Sequence, residues 1–66
     1  MLKKRSFSLA GHRTSVALED EFWSVLDAAA KDANISLAAL VARIDAARGG
    51  RPLASVLRLH ALAARS

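Results

Sequence analysis

The sequence predicts a mainly helical fold with one short strand near its start, and three observations predict it. Arg13-Thr14-Ser15-Val16-Ala17-Leu18 alternates at period two, with Val16 and Leu18 on one face and Arg13, Ser15 and Ala17 on the other. That is the pattern of a half-buried strand. From Phe22 onward the apolar residues recur at helical spacing, in blocks separated by Asn34-Ile35-Ser36 and by Gly49-Gly50. The chain is also short and apolar, with 66 residues of which 53% are hydrophobic. That length holds one domain, residues 1–66, with a marginal core.

The surplus of apolar residues has a usual resolution, which is burial between subunits. A lone strand leads the same way, because it cannot satisfy its own backbone groups. No second copy of the Arg13–Leu18 pattern lies downstream, so the expected partner is the same strand of a second molecule. There is no cysteine, so neither a disulfide nor a cysteine zinc site can staple the fold. No apolar run reaches membrane-spanning length and no signal-peptide pattern is present, which predicts a cytoplasmic protein without membrane contact.

Charge is distributed unevenly along the chain. Residues 1–18 carry Lys3, Lys4, Arg5 and Arg13 with no acid, a sum of +4. Residues 19–34 carry five acids against Lys31, a sum of −4, while residues 35–50 sum to +1 and residues 51–66 to +3. Positive charge therefore sits on the strand and the arm before it, where a footprint for phosphate belongs.

Taken in order, residues 1–11 read as a basic arm and a short extended segment. Met1 to Arg5 is a mobile arm, and Ser6-Phe7-Ser8-Leu9 alternates with its apolar residues at odd positions. Val16 and Leu18 are at even positions, so Ala10-Gly11 must reset the phase. A lengthened, kinked strand and a small hairpin would both do this. The main strand is placed at 12–18.

Helix 1 is placed at 20–33. Acidic residues suit its N-terminus, and Asp20 is a candidate side-chain cap. Phe22, Val25, Leu26, Ala29 and Ala33 form the expected buried face, with Trp23 beside it at an interface edge. Asn34 suits a left-handed C-terminal position, followed by Ile35 as its hydrophobic contact. Helix 2 is placed at 36–48, with Ser36 as N-cap and Leu37, Leu40, Val41, Ile44 and Ala47 as its stripe, ended by Gly49-Gly50. Helix 3, at 52–65, opens at Pro52 and is apolar nearly all round through Leu53, Val56, Leu57, Leu59, His60 and Leu62. Such a helix either wraps a dimer or joins dimers into a tetramer.

One strand, a helix, a short turn and a serine-capped helix, over residues 12–48, together resemble the ribbon-helix-helix (MetJ/Arc-like) family of bacterial DNA-binding proteins. More narrowly, Gly11-His12-Arg13-Thr14-Ser15-Val16, Leu18-Glu19 and Phe22-Trp23 look like a small bacterial subfamily that also carries an extra C-terminal helix. Ser36-Leu37, Leu40-Val41 and Ile44-Asp45-Ala46-Ala47-Arg48 carry the same likeness. The resemblance implies an intertwined β-α-α dimer whose intermolecular two-stranded antiparallel ribbon lies in the major groove of double-stranded DNA. It places Arg13, Ser15 and Ala17 at base edges. It implies that Ser36, with the amides of Leu37 and Ala38, clamps a phosphate, and that the dimer core holds Val16, Leu18, Phe22, Trp23, Leu26, Leu40, Val41 and Ile44. Ala17 departs from the polar residue often found at the last reading position; it can touch a thymine methyl but forms no hydrogen bond.

The residue chemistry fits. The fork of Arg13 matches guanine O6 and N7, Ser15 can donate or accept, and Lys3, Lys4 and Arg5 attract phosphate without regard to sequence. The competing reading makes Arg13 and Ser15 merely the solvent face of a strand. His12 either fixes the turn after Gly11 or touches a phosphate, and His60 packs with its polar tip near solvent. Asp45 pairs either with Arg48 or with an arginine across the dimer. Two histidines without cysteine predict no metal, and no cofactor is expected. The leading function is a homodimeric, sequence-specific DNA-binding repressor. Its rivals are an antitoxin that holds a toxin through the C-terminal helix and an interaction module without DNA affinity. An enzyme fits least, since no nucleophile–base pair, metal cluster or phosphate-cradling loop is present.

Overall fold

The computed structural model describes residues 1–65 and orders them as two strands followed by three helices: β1 (Leu2–Leu9), β2 (His12–Glu19), α1 (Asp20–Asp32), α2 (Leu37–Ala47) and α3 (Leu53–Arg65). The strands form an antiparallel hairpin in which Leu9 pairs with His12, Ser6 with Ser15 and Leu2 with Glu19.

This corrects two expectations. The chain has two strands rather than one, and residues 2–9 are a strand rather than a mobile arm leading into a short extended segment. The partner of β2 is β1 of the same molecule, so the lone-strand argument for a second chain does not hold. The cause is Ala10-Gly11, whose φ values of 51° and 81° are those of a two-residue primed turn. Such a turn matches the twist of the flanking strands. It also resolves the phase problem, because folding back sets odd positions of β1 opposite even positions of β2. Phe7, Leu9, Val16 and Leu18 thereby share one buried face.

That face meets the helices. The core joins Phe7, Leu9, Val16 and Leu18 to Trp23, Leu26 and Ala30 of α1, Leu40 and Val41 of α2, and Leu53, Leu57 and Ala61 of α3. The buried stripe of α1 is thus rotated from the expected one. Trp23 and Ala30 are buried, Phe22, Val25 and Ala29 are half-buried, and Ala33 is exposed. Trp23 is rotated inward because the hairpin, not a solvent edge, lies over it. Its Nε1 donates to the carbonyl of Lys3 at 2.8 Å, and its ring lies 5.9 Å from that of Phe7.

Helix ends follow local chemistry. The N-cap of α1 is Glu19 rather than Asp20, and no side chain caps it; the acids Asp20 and Glu21 in the first turn complement the dipole. At its C-terminus, Asn34 adopts φ 60°, and the amides of Ile35 and Asn34 return to the carbonyls of Ala30 and Lys31, both at 3.0 Å. This is the Schellman arrangement. Ser36 caps α2 by accepting from the amide of Ala39 at 3.0 Å. Arg48 then donates to Asp45 Oδ1 and to the carbonyl of Arg51, each at 2.6 Å, holding the turn into α3. Within the single chain, helix α3 buries one face through Leu53, Leu57 and Ala61, and Leu59 stays about half exposed. No described helix is long and apolar enough to cross a membrane.

Candidate nucleic-acid interface

A hairpin with one face packed on helices has one face left for solvent. Alternation places Lys4, Ser6 and Ser8 of β1 on that outward face beside Ala17, Ser15 and Arg13 of β2, their respective ladder partners. All are exposed except Ala17, which is half-buried. Between the turn and the Lys4–Ala17 pair this surface carries two cations and no acid. Glu19, the first acid after it, is drawn aside to Arg58 of α3, whose Nε donates to Glu19 Oε1 at 3.3 Å. The Glu19 carboxyl is held below its ordinary range chiefly by its own backbone amide, which desolvation partly opposes, with a further lowering from Arg58.

The structure brings Arg13, Ser15 and Ala17 together on the outward face, at the residues read from the sequence. His12 is exposed beside the turn, and Lys3 and Lys4 are exposed near the other end of the hairpin. Arg5 is placed differently. Its ladder partner is the buried Val16, so, like Lys3 opposite the buried Leu18, it lies on the helix-facing side of the hairpin, where its guanidinium lies 4.9 Å from the centroid of the Trp23 ring. Its two terminal nitrogens donate to Asp27 at 3.1 and 3.3 Å. Much of its charge is therefore answered within the chain.

Ser36 and Leu37 line an open cleft of about 390 Å³ together with Asp27, Lys31 and Asn34. Ser36 spends its side chain on Ala39. Lys31 adds a cation to the dipole of α2 at this cleft, and Asp27, the partner of Arg5, lies on its opposite chemical side as an acid. Of the expected dimer core, Val16, Leu18, Trp23, Leu26, Leu40 and Val41 are buried within one chain, while Phe22 and Ile44 are partly buried against that core. Among the described residues no group of three or more His, Asp or Glu side chains converges as a metal site would require.

Sequence reasoning missed the contribution of β1 to the outward face, namely Ser6 and Ser8. Their even numbering around Phe7 was the available signal, but it becomes informative only once the chain is known to turn back at Gly11.

Residues 2–64 match the family model described as a ribbon-helix-helix domain. The chain belongs to that family. The match spans the hairpin and all three helices, so β1 and α3 lie within the region that the ribbon-helix-helix model covers. Ribbon-helix-helix domains are associated with DNA-binding regulators and antitoxin-like proteins. No curated protein and no solved structure gave a match.

Proposed function

We propose that this ribbon-helix-helix chain is a homodimeric, sequence-specific DNA-binding protein that acts as a transcriptional repressor in the bacterial cytoplasm. The observation that carries this reading is the outward face of the hairpin, exposed and basic, from which Arg13 and Ser15 project while Phe7, Leu9, Val16 and Leu18 of the opposite face are buried against the helices. β2 has a strand neighbour on one side only. Pairing its other edge with the same edge of a second copy would give the strand order β1-β2-β2-β1 across a dimer. The two central strands then form the ribbon. A major groove about 12 Å wide admits two strands, so Arg13, Ser15 and Ala17 reach base edges. The flanking β1 strands bring Lys4 toward the phosphates at the rims from the outward face, with Lys3 reaching them only from the strand's end and His12 near the turn. Ser36, with the amides of Leu37 and Ala38, holds a further phosphate.

The test is a salt titration of binding to duplex DNA of random sequence. Affinity should fall linearly with salt on logarithmic axes, with a slope near −0.9 for each phosphate neutralised. A flat response overturns the proposal. A second reading is favoured by Leu59, 52% exposed beside a groove lined by Ile44, Ala47, Val56 and His60. That surface would serve an antitoxin's hold on its toxin, or contact between dimers.

A further inference from the structure

The hydroxyls of Ser6 and Ser15 lie 3.0 Å apart across the ladder, on the outward face, in a hydrogen bond that either oxygen can donate. Among the described residues this is the one side-chain hydrogen bond either serine makes. We propose that Ser6 is a positioning residue for base reading: its O–H donates to Ser15 Oγ and fixes Ser15 as an outward hydrogen-bond donor to a base edge. The inference rests on the DNA-binding reading above and adds to it a residue of β1 that sets specificity.

The argument starts from what an isolated serine can do. Its hydroxyl offers one donor and two acceptor sites on a free rotor, so it meets a base donor and a base acceptor about equally well. A residue of that kind discriminates poorly. Accepting a bond from Ser6 occupies one lone pair of Ser15, restricts its rotamer, and polarises its own O–H into a better donor. The major-groove edges favour that polarity, because G presents N7 and O6, A presents N7 and T presents O4, against donors only on A and C. Among the described residues none of Arg13, Ser8 and Lys4 hydrogen-bonds to Ser6 or Ser15. Arg13 and Lys4 can only donate, so neither takes up the outward proton of Ser15. A relay Ser6 O–H to Ser15 O–H to base acceptor leaves every hydroxyl hydrogen used.

Ser6→Val and Ser6→Thr separate this role from a structural one, since the two side chains share shape and strand preference and differ by the hydroxyl. Sequences bound from a random duplex pool would be compared for the unaltered protein, both variants and Ser15→Ala. The expected result is that Ser6→Val and Ser15→Ala weaken preference at the same base position, by roughly 2- to 10-fold for loss of one hydrogen bond. Ser6→Thr should retain that preference, and all four should share one salt slope on random DNA and similar melting temperatures. Unchanged preference in Ser6→Val, or equal losses in Ser6→Val and Ser6→Thr, overturns the inference and leaves DNA binding standing. Binding by the unaltered protein without any base preference does the same. Absence of salt-dependent binding in the unaltered protein overturns the functional reading itself.

Discussion

Arg5 and Asp27, 22 residues apart in sequence, lock β1 to α1: Nη1 meets Oδ1 at 3.1 Å and Nη2 meets Oδ2 at 3.3 Å, with the guanidinium over Trp23. Both side chains are more than a third exposed, so solvent screens the ion pair and its worth is a fraction of a kcal/mol. The cation–π contact adds about 0.5–1 kcal/mol. Arg5→Ala should therefore destabilise the fold by about 1 kcal/mol, a fall in Tm of roughly 4–8 °C at this size, read by thermal melting. Its effect on the salt slope of DNA binding should be smaller than that of Lys4→Ala, whose charge has no ion-pair partner among the described residues.

The hairpin turn gives a prediction of opposite sign at two adjacent residues. Ala10 holds φ 51° and Gly11 φ 81°. A side chain other than Gly or Asn is strained there by about 1–2 kcal/mol. Gly11→Ala should destabilise by about that amount although its new Cβ would meet open space. Ala10→Asn, which makes the preferred Asn-Gly turn, should stabilise by roughly 0.5–1 kcal/mol. Denaturant midpoints at unchanged slope would check both.

Acid should weaken the junction of β2 and α1 through Glu19. Its carboxyl is depressed below the ordinary 4.5 in the folded chain, by its own backbone amide and then by Arg58. The stabilisation is present above the unfolded-state value and is lost as pH falls through the lower folded value. Melting of Glu19→Gln should therefore depend less steeply on pH below about 4.5 than melting of the unaltered chain, and match its slope near neutrality.

On DNA, Arg13 and Lys4 should separate. Arg13→Ala should relax base preference by about 1–3 kcal/mol at one position. Lys4→Ala should weaken all sequences alike and lower the salt slope by about one phosphate's worth. Matched measurements on selected and random duplexes check this, and identical behaviour of the two variants contradicts their assigned roles.

What the sequence could reveal was set by range. Period and capping chemistry are local, so the breaks at Asn34, Ser36 and Gly49-Gly50 were visible, as was the outward parity of Arg13, Ser15 and Ala17. The hairpin stood as one of two ways to reset the phase between Phe7 and Val16. Ala-Gly is a weaker turn signal than Asn-Gly, and nothing local marked residues 2–5 as a strand, because their charges read equally well as a solvated arm. The inward rotation of Trp23 followed from the same gap: its hydrogen-bond partner is a β1 carbonyl, which exists at that place only after the chain has folded back. Arg5 was grouped with Lys3 and Lys4 by charge, whereas the structure separates it from Lys4 by the pleat. Ser6 could enter the site only once its register opposite Ser15 was known.

The single tryptophan of the chain sits where β1 docks on α1, its ring 1% exposed and its Nε1 tied to Lys3. Its intrinsic fluorescence is consequently a native optical gauge of that seam. Peeling the hairpin from the helices would move the indole into water and shift its emission to the red, while fraying of the far end of α3 would leave the emission where it is. Attachment of the ribbon and cooperative loss of the helical layer can thus be timed separately in the unmodified chain, without adding a dye.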